Sequence, residues 1–375
     1  MSNSTHRVNV VRIDELHPHP SADTLSIVYI GGYQCVVKTD NYKVGDLALY
    51  IQPDTIVPVL APFNFLWADR DWDFPSEILK YRRVTVRRFR KEWSEGLLMP
   101  LEDFFAAVDT VNGIYYESTI PTTGVLRLQE GDDVAELLGF THYEEPDQSY
   151  VLGTQGRKLT VWQRILKFFG FVPKPFGPKD GPGVYDVESV KNYPRALVEG
   201  EQVIATEKIH GSNARYYFDG ETFWVGSHKK WWKDKTNIWW RVAIANPWIE
   251  EFCRQYPLHT LRGEVTPTQT GYQYGNTPEE QFFAFDVQKP NGEYVDKVDL
   301  YRYPLIYKLV PVAYQGPYNA ALLATKAEGR TLVGMKNPHL REGLVISTER
   351  ERVMRGLGRA QLKLKSMAFL EKESK

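Results

Sequence analysis

The stretch between about residues 145 and 183 constrains this chain most, because it separates two segments whose hydrophobic patterns differ in kind. Pro173, Pro175, Pro178 and Pro182 stand there among several glycines, a composition that marks a linker rather than a packed element. The chain has 375 residues, so each flank is long enough to bury a core of its own. Just before the prolines, LTVWQRILKFF places Trp162, Ile165, Leu166 and Phe169 at i, i+3, i+4 and i+7. That spacing predicts a short amphipathic helix, packed against one or both domains in preference to a membrane-surface or RNA-facing role.

The first flank reads as short strands punctuated by Gly, Pro and Asp. Val8–Ile13, Leu25–Ile30, Tyr33–Lys38 and Asp46–Gln52 are predicted strands, and 130–138 a closing helix. Such spacing points to a small β-barrel. Less regular inserts lie around 64–80 and 103–123. The second flank is mixed α/β. Strands are predicted at 201–207, 214–218, 221–226, 263–266, 282–288 and 344–348, with Asp219-Gly220 as a two-residue turn. Asn237–Tyr256 reads as a helix restarted at Pro247, because proline suits a first helical turn.

Several classes are excluded early. No run of eighteen apolar residues offers a helical membrane span. MSNSTHRVNVVRIDE lacks the apolar region of a secretory signal. Cys35 and Cys253 are too far apart and too few for a disulfide framework or a cysteine zinc site. A cytoplasmic protein, acting as a monomer without a membrane partner, is expected. Lys and Arg number 46 against 47 Asp and Glu, a net charge of −1, so any polyanion must meet a local basic patch. No phosphate-binding G-x-x-x-x-G-K-[ST] loop, H-E-x-x-H or G-x-S-x-G occurs.

The chemistry centres on Glu207-Lys208-Ile209-His210-Gly211-Ser212-Asn213, where a lysine ends a strand and a glycine turn leads into the next. Alone this is a weak signal. Its weight comes from the ordered residues downstream of it: carboxylates at Glu264 and Glu342 on short apolar strands, the aromatic strand Phe282–Asp286, and Lys363 and Lys365 on one face of an extended segment.

In that order the segments resemble the covalent nucleotidyltransferase superfamily, which contains ATP-dependent DNA ligases, RNA ligases and mRNA capping enzymes. Its motifs I, Ia, III, IIIa, IV and V match KIHGSN at Lys208–Asn213, GSHKK at Gly226–Lys230, RGEV at Arg262–Val265, FFAFDV at Phe282–Val287, EGLVI at Glu342–Ile346 and KLK at Lys363–Lys365. K-x-H-G-x-N is similar to the nick-sealing RNA ligase branch. DNA ligases and capping enzymes carry Asp where His210 stands and append an OB barrel after motif V, whereas ten residues follow Lys365 here. Residues 6–140 resemble the N-terminal OB module of one RNA ligase family, notably HPHPSADTL, YKVGDLALYIQPD and SEGLLMPL. Motif Ia departs most, since many relatives have Arg where His228 or Lys229 stands.

The resemblance implies an α+β chain: an OB-like barrel over 1–145, a linker with a short helix over 146–183, and an adenylyltransferase domain over 184–375. It implies an ATP-dependent RNA ligase, serving RNA repair, that joins a 3′-OH to a 5′-phosphate in three steps. Lys208 attacks the α-phosphorus of ATP, AMP passes to the RNA 5′-phosphate, and the 3′-OH then displaces AMP. An ordinary lysine, with pKa about 10.4, is about 0.1% neutral near pH 7.5, a cost of roughly 4 kcal/mol that neighbouring cations lower. Lys363 and Lys365 are the expected cations and would hold the α-phosphate. Mg²⁺ or Mn²⁺ is expected at Glu342, with Glu264 as a second contact and ribose ligand. Phe283 would stack on adenine, with Phe282 and Phe285 on the opposite face in the core. Glu207 would read the purine edge, Asn213 organise the site and Lys229 assist the nucleotide. His210 has two roles open, a structural one and orientation of the leaving pyrophosphate.

For RNA, a nicked duplex with an RNA 3′-OH strand is expected. Lys230 and Lys233, interleaved with Trp224, Trp231, Trp232, Trp239 and Trp240, are candidate phosphate contacts. Trp239 and Trp240 are expected in the core. Arg82, Arg87, Arg88 and Arg90, with Arg83 and Lys91, form a second basic segment, expected as one extended strand basic on both faces. Two other readings stand beside this one. A DNA ligase or capping-type guanylyltransferase is disfavoured by His210 and the missing C-terminal barrel. A non-catalytic RNA-binding protein with a vestigial transferase domain is disfavoured by Lys208, Glu264, Glu342 and Lys363 all being present.

Overall fold

The computed structural model describes residues 7–67, 81–101, 104, 110–111, 114–115, 128–143, 176–179, 181–268, 271–275, 279–305, 309–334 and 336–373. The predicted helix at Trp162–Phe169 and most of the two inserts lie outside the described residues. The chain divides into one compact unit of Met1–Glu144 with Leu370–Lys375 and another of Glu145–Phe369.

In the first unit, Leu47–Ile51 lies between Val8–Arg12 and Leu97–Pro100, antiparallel to both. Its neighbours explain why nearly the whole strand is buried. Leu49 and Ile51 join Val8, Val10, Val57, Phe63 and Phe104 in one core. Ala48 and Tyr50 point the other way and join Val28, Cys35 and Val37 from a second sheet, Leu25–Ile30 and Tyr33–Lys38. Alternation with period two lets one strand serve two cores. The segment at 130–138 is helical only over Ala135–Leu138, because Gly131 takes a turn with φ of 95°.

The second unit is built on two sheets. A five-stranded sheet runs Glu188–Ser189, Gln361–Lys365, Gly343–Thr348, Gln202–Glu207, Val312–Pro317. A four-stranded antiparallel sheet runs Phe223–Ser227, Ser212–Phe218, Thr260–Thr266, Gln281–Gln288. Helices Ile238–Ala245 and Trp248–Gln255 cover the second sheet, burying Trp239, Val242, Ile249 and Phe252 on Tyr216, Leu261 and Val287. Asn237 caps the first helix by accepting from the Trp240 amide at 3.1 Å, and Pro247 begins the second. The Phe218/Phe223 pairing moves the predicted turn by one residue. Asp219 N–H bonds Thr222 O, so Gly220 and Glu221 are the central pair.

Asp286 is fully buried and ties the two sheets of this unit together. It accepts from Lys297 at 2.7 Å, Arg359 at 2.9 Å and Tyr185 at 2.5 Å, and the Tyr185 hydroxyl also lies 2.6 Å from the Gln361 side-chain amide. Burial alone would raise its pKa. The Arg359 and Lys297 cations outweigh that and hold the carboxyl well below its usual range.

Among the described residues, no helix is long and apolar enough to cross a membrane. Cys35 and Cys253 are both buried and form no disulfide with each other.

Candidate active site

The chain passes from one sheet of the second unit to the other through Lys208-Ile209-His210-Gly211. Gln202–Glu207 belongs to the five-stranded sheet and Ser212–Phe218 to the four-stranded one. Lys208 therefore sits at a crossing, anchored by its amide to Gly343 O at 2.9 Å. Its Nζ lies 2.7 Å from Glu342 Oε1, with the lysine side chain 26% exposed and the carboxylate 6%. The amine is reachable and its partner is not. A Cβ at Gly343 would collide with Leu364 O, so the backbone beside Glu342 can approach the next strand only as glycine.

Register brings the other two lysines to the same place. Val345 pairs with both Thr206 and Lys363, and Gly343 pairs with Lys365. Residues paired across a sheet share a face, so Lys363 and Lys365 line the side on which Lys208 emerges. Burial pushes the Lys363 amine down, and the Lys365 and Lys208 charges push it further.

His210 fixes the remaining carboxylate oxygen. Its Nδ1 is 3.3 Å from Glu342 Oε2, its backbone N–H donates to Tyr274 Oη at 2.8 Å, and its ring lies 4.3 Å from that of Tyr272. Burial would raise the Glu342 pKa, but Lys208 and the His210 hydrogen bond outweigh it and hold the carboxyl well below its usual range. Glu264 behaves oppositely. Burial pushes its carboxyl up to about 7, against Lys208 and the Gly211 amide and with repulsion from Glu342. A Cβ at Gly211 would strike Val265 O, which is why the turn packs so closely on this strand.

Asn213, Glu264 and Phe283 stand in one row across the four-stranded sheet. Phe282 faces the other way into the core, as expected, with its ring edge-on to Tyr216 at 5.1 Å. Phe285 is a correction. It packs with Phe283 around Ile209, Tyr274 and Val310, because residues two apart on a strand share a face. Glu207 is buried, accepting from the Leu332 amide at 2.6 Å while its Oε1 has no partner. Burial pushes its carboxyl up. A buried acceptor without a donor suits the amino group of a purine.

Two carboxylates at one lysine suit a hard divalent cation, which takes few protein oxygens and keeps water for the rest. Among the described residues no group of three or more His, Cys, Asp or Glu forms a cage for a metal. Glu342 and Glu264 are the residues that would hold such an ion.

The candidate nucleic-acid residues are distributed less evenly. Lys229, Lys230 and Lys233 are exposed beyond Phe223–Ser227, and the Lys230 ammonium lies 5.7 Å from the Trp232 ring centroid. Trp239 is buried and stacks on Trp232 at 5.1 Å, and Trp240 packs on the same core. The basic segment at 82–91 departs from the expected single strand. Only Val86–Phe89 is extended, and Arg90 and Lys91 form its turn with φ of 48° and 81°. Arg82 is half-buried and donates to Val57 O at 2.7 Å, while Arg83 grips Asp54 at 2.6 Å. Arg87, Arg88 and Arg90 are exposed on the hairpin, with Arg88 over the Trp93 ring at 3.9 Å and 3.9 Å from Glu371.

Sequence reasoning passed over Tyr272 and Tyr274. They stand in the Gly- and Pro-punctuated segment TPTQTGYQYGNT, which carries no strand or helix period. Both are nonetheless almost fully buried against His210.

Residues 201–365 match the RNA ligase family, and residues 7–101 match an OB-fold domain. No curated protein matches the chain. Among solved structures, an apo lysine variant of an RNA ligase from Naegleria gruberi matches with a TM-score of 0.71 and 21% identity, over 99% of this chain and 100% of that one. A lysine variant of the Naegleria gruberi ligase with ATP and Mn matches at 0.69 and 21%, over 98% and 99%. The same ligase with PPi matches at 0.69 and 22%, over 98% and 99%. At these identities the likeness establishes the fold: an OB-fold module followed by a ligase domain.

Proposed function

We infer, from a chain that sets a domain of the RNA ligase family behind an OB-fold module, that this protein joins RNA ends with ATP through a covalent lysyl-AMP on Lys208. The observation that carries the reading is the 2.7 Å contact between Lys208 and Glu342 at the crossing of two sheets, with Lys363 and Lys365 on the same face. A partly exposed amine beside a buried carboxylate and two further cations suits attack on a triphosphate. The ammonium first gives its proton to solvent, to which the lysine is partly exposed; Nζ then forms a bond to the α-phosphorus as the bond to pyrophosphate breaks and pyrophosphate leaves. Lys363 and Lys365 are placed to hold the α-phosphate and to disfavour the charged form of Lys208. A divalent cation, Mg²⁺ or Mn²⁺, would add positive charge at the phosphates from Glu342 and Glu264. Phe283 and the unpaired Glu207 Oε1 suit a purine, whose ring can stack and whose exocyclic amino group can donate, and the labelled-nucleotide test below decides between adenine and guanine. Asn213 acts on the geometry of the site through its row with Glu264.

The substrate we assign is a nicked duplex with an RNA 3′-OH strand, and the service we assign is RNA repair. Arg87, Arg88 and Arg90 on one exposed hairpin, and Lys229, Lys230 and Lys233 on another segment, are suited to phosphates without sequence preference. The test is incubation with α-labelled ATP and, separately, α-labelled GTP. Label should attach from ATP alone and be absent from Lys208→Ala, while that variant still seals a pre-adenylylated nick in part. Transfer from GTP would point to a guanylyltransferase, and undiminished labelling of Lys208→Ala would remove the assignment.

A further inference from the structure

The segment that comes after the two lysines turns back on the site. Ser366 donates its amide to Glu342 O at 2.8 Å and its hydroxyl to Glu328 Oε2 at 2.8 Å. Glu328 ends the helix Ala320–Ala327 and also accepts from the Met367 amide at 2.6 Å and the Ala368 amide at 3.3 Å. One carboxylate thus satisfies the first free amides of Met367–Glu373, as a side-chain oxygen does at a helix start. Ser366 Oγ takes the Phe369 amide at 3.2 Å, so the direction of Phe369 is set by its own turn.

Phe369 is 3% exposed, and its ring centroid lies 5.5 Å from His210 and 5.6 Å from Tyr272. Tyr272 is in turn 4.3 Å from His210, so the three rings close a triangle. His210 presents Nδ1 to Glu342 from inside it. Nothing in the proposed ligation assigns a role to Phe369, Tyr272 or Glu328.

We propose that Phe369 and Tyr272 are positioning residues that lock the His210 ring against Glu342, and that Glu328 sets Phe369 by capping its helix. The proposal rests on the ligation reading, since it gives those residues a task in forming lysyl-AMP. The physical argument is one of rotation. A histidine ring turns about its Cβ–Cγ bond over a broad well, and the rings of Tyr272 and Phe369 packed against it narrow that well around the orientation that brings Nδ1 to 3.3 Å from Glu342. Without them Glu342 keeps Lys208 on one oxygen and loses its orientation on the other. Partners one step behind a metal-binding or reacting group typically change affinity or rate about tenfold to hundredfold.

The experiment is a double-mutant cycle on the full-length protein, reading the rate of AMP attachment across a range of Mn²⁺ concentrations. Phe369→Ala should slow attachment about tenfold or more and raise the Mn²⁺ concentration at half-maximal rate. Phe369→Tyr, which keeps the ring, should restore both. In a His210→Ala background, Phe369→Ala should have no further effect, because groups acting through one intermediary are not additive. Glu328→Ala should follow Phe369→Ala in both respects, and thermal unfolding measured alongside separates lost folding from lost positioning. Additive losses in the His210→Ala background, or wild-type Mn²⁺ dependence in a folded Phe369→Ala, would overturn this proposal while leaving the ligation reading intact. A wild-type chain that takes no label from ATP would overturn both.

Discussion

Replacing Glu264 by Gln makes the cost of desolvating one half-buried carboxyl measurable. Its pKa is raised by burial from an ordinary 4.5 to about 7. The folded chain therefore keeps a proton that the unfolded chain releases near 4.5, and over that window the native state binds more protons. Stability must then fall as pH rises from about 4.5 to about 7 and level off above. At about 1.4 kcal/mol per pH unit the loss is roughly 3 kcal/mol. Glutamine has nearly the shape of the protonated acid and no proton to lose. Glu264→Gln should match the wild type near pH 5 and exceed its unfolding free energy by roughly 3 kcal/mol near pH 8. Urea titrations followed by tryptophan fluorescence suit the question. Seven of the ten tryptophans, Trp162, Trp224, Trp231, Trp232, Trp239, Trp240 and Trp248, lie in the second unit and report mainly on it. A gap between variant and wild type that stays constant with pH, or narrows as pH rises, refutes the argument.

The same contacts set three further outcomes. Glu342→Ala should suppress metal-dependent AMP attachment severely, because Lys208 and His210 both address that carboxylate; a wild-type rate at ordinary Mg²⁺ would show the ion to be held elsewhere. Asp286→Asn should cost about 3–5 kcal/mol in chemical denaturation, since it leaves Lys297 and Arg359 as buried cations without their shared anion, and a loss below about 1 kcal/mol would contradict that role for Asp286. Charge reversal at Arg88 and Arg90 should weaken RNA binding and flatten its dependence on salt. An unchanged slope of binding against salt concentration would exclude the hairpin as a phosphate contact.

Much of the local structure was written in the sequence by itself. Leu25–Ile30 and Tyr33–Lys38 run as strands at the predicted bounds, and Asn237 and Pro247 start two helices where their chemistry allows. Such features depend on residues a few positions apart, where period, caps and turn residues act directly. The ordered motifs likewise pointed to Lys208, Glu264, Glu342, Lys363 and Lys365 without coordinates. Which side chains meet was decided only by tertiary structure. The contact of His210 with Glu342 spans 132 residues, and it arises from strand registers that no local pattern encodes. Arg82 and Arg83 looked equivalent to Arg88 and Arg90 until the fold turned the first two toward Val57 O and Asp54. Phe369 and Tyr272 carry no signal in sequence, since a phenylalanine in a short helix and a tyrosine in a loop are equally suited to core or surface. Their task exists only because the segment after Lys365 folds back on the crossing at Lys208. Short-range physics is legible along the chain, and long-range contact is set by how the strands pair.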